Sequence, residues 1–151
     1  MNSINVTSED LRGGKWDDSI SNTSVGDNAS PELSWERVKD AEEYVVYMID
    51  EYDTDYWLHW RARGIREPGF AHGGIPEDVQ NEYIGPYPPE GIHDYVIYVF
   101  ALKGPAFAYP GHFDAESVPV EAIREALDKD ADGKDGNILA EGSISGTYAA
   151  G

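Results

Sequence analysis

Cysteine is absent from the 151 residues. That excludes disulfides, thiolate nucleophiles and any zinc site built on sulfur. Cations are scarce: 11 Lys and Arg stand against 29 Asp and Glu, a formal net charge of −18. Nucleic acids and anionic membranes are bound through Lys and Arg that neutralise phosphate, so neither is an expected partner. No run of eighteen apolar residues occurs, which excludes a membrane-spanning helix. Residues 1–10 carry neither the basic nor the apolar segment of a signal peptide, and the expected location is the cytoplasm. Enzyme signatures are missing as well: there is no Gly-x-Ser-x-Gly, no His-Glu-x-x-His and no P-loop lysine. No cofactor is implied, and a hydrolase is the least favoured class.

What is present is an apolar fraction of 40% with 12% aromatics, enough for a packed core and too much for an acidic disordered tail. The length suits one domain spanning residues 1–151. Dispersed acids with few lysines fit a salty cytoplasm, or simply a soluble acidic protein.

Residues 43–50 (Glu-Tyr-Val-Val-Tyr-Met-Ile-Asp) form the clearest strand, apolar on both faces and rich in β-formers, so the sheet should lie between layers. Residues 57–62 and 92–102 read as further strands, residues 138–148 as the last, and residues 4–6 and 19–21 as short ones. Residues 64–89, with Gly-Gly, several prolines and no periodicity, read as one long loop. Only residues 118–128 look helical, with Val120, Ile123, Ala126 and Leu127 on one side. The predicted architecture is a mainly β, antiparallel β-sandwich with one or two short helices, one near the C-terminus.

Residues 85–95, Gly-Pro-Tyr-Pro-Pro-Glu-Gly-Ile-His-Asp-Tyr, carry the densest chemical signal. Prolines stiffen the loop, and its glycines let a ligand approach the backbone. If the following run is a strand, His93 and Tyr95 leave the same face. A titratable imidazole and a phenol beside a rigid loop suit a small polar pocket. The same pattern also fits a structural histidine at a strand end.

Four segments, in order, resemble the phosphatidylethanolamine-binding protein (PEBP) family in its bacterial and archaeal form. Gly26-Asp-Asn-Ala-Ser-Pro-Glu-Leu-Ser-Trp35 is similar to its G-x-N-x-S-P-x-L-S-W opening. Asp50 with the later His59-Trp60 resembles its aspartate motif and H-W pair. Tyr83-Ile-Gly-Pro-Tyr-Pro-Pro-Glu-Gly-Ile-His-Asp-Tyr95 looks like Y-x-G-P-x-P-P-x-G-x-H-R-Y. Residues 138–148 resemble its closing L-A-x-x-x-L-x-G-T-Y.

The resemblance implies a β-sandwich with a small anion pocket at one end. Carried over by position, that pocket uses Asp50, His59, Gly85, Pro88, Pro89, His93 and Tyr95, with Trp57 two residues before His59. It implies a small anionic or phosphorylated ligand. In some family members it also implies a protein partner, regulated in the manner of kinase inhibitors. Two departures stand out. The family's D-P-D-A-P is here Asp50-Glu51-Tyr52-Asp53-Thr54, so both prolines are gone and the second Asp is Tyr52, or Asp53 after a one-residue shift. The H-R-Y arginine is Asp94.

For an anion, His⁺, a Tyr hydroxyl and loop N–H groups are the suitable donors. Asp50 would repel a bare dianion, and its expected role is to orient an imidazole. Alternatively, Asp50 caps a strand end and His59 is a bonded core residue beside Trp60. A metal held by His59, His93 and Asp50 is chemically feasible, but the usual ligand spacing on one element is lacking.

Asp128, Asp130 and Asp132 with Gly133 match the first half of an EF-hand loop. Position twelve is Leu139, which excludes the complete motif and leaves either a weak calcium site or a solvated acidic turn. Three functions remain: a binding module for a small anion, an interaction protein docking at the pocket rim and the 64–89 loop, and a hydrolase using His93 and Asp50.

Overall fold

Strand β5 (Glu43–Asp50) is the axis of the molecule, and all eight of its residues are buried. Its β-branched and aromatic residues suit a strand covered on both sides. The computed structural model describes residues 2–51, 56–88, 90–111 and 119–149. β6 (Trp57–Ile65) and β9 (Ile92–Leu102) flank β5, both antiparallel to it. β10 (Ile138–Ala149) continues the sheet beyond β9, and β8 (Gln80–Tyr83) continues it beyond β6. At the far edge, β1 (Asn2–Ser3) and β3 (Lys15–Trp16) pair with β10, and β2 (Leu11–Arg12) pairs with β3. β4 (Leu33–Ser34) and β7 (Gly69–Phe70) make a second, two-stranded sheet. The single α-helix among the described residues is α1 (Val120–Leu127).

Alternation along β5 divides the core in two. Tyr44, Val46 and Met48 join Leu33, Trp35, Trp60, Tyr95 and Ile97 on one face. Val45, Tyr47 and Ile49 join Leu58, Phe100 and Leu102 on the other, where α1 adds Ile123 and Leu127 one helical turn apart. The expectation of a sheet between layers is met.

The sheet is mixed, which corrects the antiparallel sandwich read from the sequence: both β1 and β3 run parallel to β10. Those pairings join chain segments more than 130 residues apart, and no local pattern encodes them. Residues 19 and 20 belong to a 3-10 turn (Asp18–Ile20) capped by the Asp17 side chain, and Ser21 is its C-cap, so no strand forms there. Residues 4–6 likewise follow a strand, β1, and do not form one themselves. The 64–89 segment is no single loop. It holds the end of β6 together with β7 and β8. β8 reads Gln-Asn-Glu-Tyr, an exposed edge strand with no apolar alternation to betray it.

No helix among the described residues is long and apolar enough to cross a membrane. The charge of −18 has a direct consequence. Like charges repel within the folded state, and salt screens them with a Debye length of about 10 Å at 0.1 M. The melting temperature should rise between low salt and roughly molar salt, where that length falls to about 3 Å. Thermal scans across the range check this, and a flat response would show that the charge imposes no net strain.

Candidate functional site

Three strand ends bring the expected residues together. Asp50 closes β5, and its register partners are Trp57 on β6 and Tyr95 on β9. On β9, His93 and Tyr95 are buried while Ile92 and Asp94 are exposed, as strand alternation requires. The two rings are near-parallel, with centroids 6.3 Å apart. Asp94, at the family's arginine position, therefore projects from the face opposite His93 and Tyr95.

His59 reaches the site through an irregularity in β6. Met48 pairs with Trp60 and Ile49 pairs with Leu58, which leaves His59 as the extra residue of a β-bulge. A bulge re-aims side chains. Here it turns His59 to the same face as Trp60, where its ring meets Tyr95 edge-on at 5.2 Å. A second shift lies between Tyr44 and Val46. Gly64, at φ +78°, occupies that stretch of β6 in a conformation suited to glycine.

Both imidazoles are held at Nδ1. His93 Nδ1 lies 2.7 Å from Asp50 Oδ2, and His59 Nδ1 lies 2.9 Å from the Ile84 carbonyl oxygen. Both oxygens are acceptors, so each Nδ1 carries a proton and donates. The tautomer is thereby fixed: a second proton on either ring goes to Nε2 and makes that atom a charged donor.

Tyr95 lies beneath the pair. Its hydroxyl is fully buried and makes no hydrogen bond of good geometry to any described residue. Burial first, and the neighbouring Asp50 carboxylate second, hold its pKa far above the ordinary tyrosine value. It remains a neutral phenol. Trp35 Nε1 is the other buried polar atom without a described partner. Its ring is edge-on to Tyr44 and Phe70.

The Gly-Pro loop forms the adjoining wall. The Gly85 N–H donates to Asn28 Oδ1 at 2.6 Å, the Asn22 N–H to the Pro86 carbonyl at 2.9 Å, and the Tyr83 hydroxyl to the Ile20 carbonyl at 2.7 Å. Gly85 is also required sterically: a Cβ there would stand 1.9 Å from the Ile20 carbonyl oxygen. Pro88 is buried in this wall, whereas Pro89 and residues 52–54 lie outside the described residues.

Two residues were not singled out by sequence. Asn28, at φ +52°, is the latch for Gly85; its place in the Gly26–Trp35 motif was the available signal. Tyr87 stands edge-on to His59 at 5.5 Å. Nothing in the local pattern separated it from an ordinary loop aromatic.

The acidic turn has a different organisation from a cation cage. Asp130 Oδ1 accepts the Asp132 and Lys134 amides, Asp128 Oδ1 accepts the Ile138 amide, and Lys129 pairs with Asp135. The Lys134 amide, first, and that of Asp132 hold the Asp130 carboxyl below its ordinary pKa. The structure does not gather Asp128, Asp130 and Asp132 into a cluster, and no group of three or more such ligands is arranged for a metal among the described residues.

Comparison with known proteins covers the whole fold. A family model described as phosphatidylethanolamine-binding protein matches residues 7–149. A UPF0098 protein of Methanothermobacter thermautotrophicus is 28% identical over 146 residues, covering 85% of this chain and 88% of its own length. The crystal structure of a PEBP homologue from Chlamydia trachomatis superposes with a TM-score of 0.72 over 100% of both chains at 24% identity. At that identity the likeness speaks to the fold.

Proposed function

Because the chain belongs to the phosphatidylethanolamine-binding protein family, we propose that the Asp50–His59–His93 cluster binds a small oxyanion such as phosphate or a phosphorylated group. The observation that carries this reading is the paired commitment of Nδ1, to Asp50 in one ring and to the Ile84 carbonyl in the other. Each ring is oriented before any ligand arrives, and each gains its charge at Nε2. Charge-assisted bonds from two such donors are of the strong kind. Asp50 serves as the orienting partner and not as a contact to the anion, which it would repel. The buried Tyr95 phenol keeps the floor of the site neutral.

The sign of the pH dependence follows. Only the doubly protonated ring donates from Nε2, so acid favours the binding form. Phosphate affinity should be high at pH 5.5 and fall by pH 8, although phosphate itself gains charge over that range. His93→Ala should weaken binding at pH 5.5 by about 1.5–3 kcal/mol, the range for hydrogen bonds to charged groups. Asp50→Asn should alter the pH profile more than the affinity at pH 5.5. Calorimetric titration of inorganic phosphate at both pH values reads these effects. Equal binding by wild type and His93→Ala at both would refute the assignment.

A further inference from the structure

At the end of β5 opposite Asp50, two guanidiniums and two carboxylates line one cavity without meeting. Glu43 opens the strand and Asp50 closes it, which sets this cavity roughly 20–25 Å from Asp50. The cavity encloses about 220 Å³, and Arg63, Arg66, Glu42 and Asp78 are among its lining residues. None of the four belongs to an ion pair among the described residues. That is unusual for two arginines in a chain whose carboxylates outnumber its cations 29 to 11.

Arg63 is held by its face. Its guanidinium carbon lies 3.8 Å from the centroid of the Tyr109 ring, a cation–π contact that leaves the planar N–H edge able to donate. No acceptor among the described residues bonds that edge, and it is not buried. Tyr109 is itself fixed at several points. Its hydroxyl donates to Glu43 at 2.8 Å and accepts the Ala106 N–H at 3.0 Å, while its carbonyl accepts from Arg61 at 3.2 Å. The buried Glu43 uses its other oxygen on the Gly64 N–H at 2.6 Å, so it works as a strut between β6 and Tyr109.

The charges decide the class of ligand. A bare anion entering here meets Glu42 and Asp78, and the overall −18 opposes it from a distance. A bare cation meets Arg63 and Arg66. A ligand carrying both charges satisfies both sides and, being neutral, approaches without a long-range penalty. The volume lies below the roughly 300–1,000 Å³ of pockets for drug-sized ligands, so the ligand is small. We propose that the cavity binds a free α-amino acid, its carboxylate on the Arg63 fork beside Arg66 and its ammonium toward Glu42 and Asp78. Guanidinium and carboxylate match bidentately. The site shares no residue with the oxyanion site and does not depend on it.

Amide chemical shifts of the isotope-labelled protein, titrated with L-alanine, propionate and isopropylamine, test this. L-Alanine should give saturable shifts at Glu43, Gly64, Gln80 and Tyr109, all of which line the cavity, with a Kd in the millimolar range. Propionate and isopropylamine should each bind about tenfold or more weakly, because each leaves one set of charges unmet. Arg63→Gln should weaken L-alanine by about the same factor. Glu42→Gln combined with Asp78→Asn, both at exposed positions, should weaken L-alanine and tighten propionate, an inversion that loss of folding cannot produce. The proposal is overturned by no saturable shift at roughly 100 mM L-alanine, or by shifts confined to the Asp50–His93 end. Equal affinity for propionate, wild-type binding by Arg63→Gln, or propionate binding unmoved by the paired substitution overturns it as well.

Discussion

Above pH 10 the protein should unfold cooperatively, with buried tyrosines as the cause. Tyr47, Tyr83 and Tyr95 are all pushed well above the ordinary tyrosine value, chiefly by burial. Burial likewise raises Tyr98, with its bond to the Glu51 carboxylate adding to the effect. Burial raises Tyr109 to about 12, helped by its bond to Glu43.

Below pH 10 these phenols are protonated in both folded and unfolded chains, and their contribution to stability is intact. Between pH 10 and the folded-state values, the unfolded chain releases protons that the native state keeps, so stability falls as pH rises. Each fully shifted group weakens the fold by about 1.4 kcal/mol per pH unit in that window. Three such groups would exhaust a typical stability of about 5–15 kcal/mol within roughly two to three units. Tyrosinate absorbance should therefore appear in two stages across the ten tyrosines, the later stage coinciding with loss of near-ultraviolet circular dichroism. One smooth titration near pH 10 with the fold intact at pH 12 would contradict the burial argument.

Gly85→Ala should be the most damaging single substitution near the site. The added Cβ would meet the Ile20 carbonyl oxygen at 1.9 Å and the Asn22 nitrogen at 3.0 Å, both of them backbone atoms. The loop that owns them is pinned by the Tyr83 hydroxyl and the Asn22–Pro86 bond, so neither side can yield cheaply. Overpacking of this kind costs about 1–3 kcal/mol or more, equivalent to a melting temperature lower by roughly 2–4 °C per kcal/mol in a domain of this size. Displacement of the Pro86–Pro88 wall should also weaken phosphate binding.

Gly142→Ala provides the control. Its Cβ would meet the Ile4 carbonyl oxygen at 2.0 Å, at the pairing edge of β10. It should lower stability comparably and leave phosphate affinity in the folded protein unchanged. If Gly85→Ala melts and binds like wild type, the loops are not packed as described.

The legible parts of this molecule were those written in local pattern. β5 and β9 were bounded correctly because continuous apolar β-formers end abruptly at Asp50 and Leu102. β6 runs three residues beyond the expected 57–62, because Gly64 reads as a breaker yet sits in an irregular stretch of the strand. β7 and β8 were hidden by brevity and polarity.

At the site, Asp50, His59, His93 and Tyr95 do converge as the motifs implied. The bulge that delivers His59 is invisible in sequence, since it depends on register with β5. The bond that holds Gly85 was not legible, because the partner of its amide, Asn28, lies 57 residues away. The helix was expected at 118–128 and is described over 120–127; residue 118 lies outside the described residues.

The position of β10 also governs how the fold can be reached. The last strand in chain order is an inner one, with β9 on one side and the first strands, at Asn2–Ser3 and Lys15, on the other. Contacts between such distant segments form slowly, because loop closure precedes any gain from pairing. A chain still emerging from the ribosome can assemble β5, β6 and β9, but it must wait for residues 138–149 before the sheet is complete. Until then the apolar run of β9 presents an unpaired edge, the kind that recruits strands from other molecules. The excess of carboxylates has a use at that stage: it keeps half-folded copies apart through mutual repulsion.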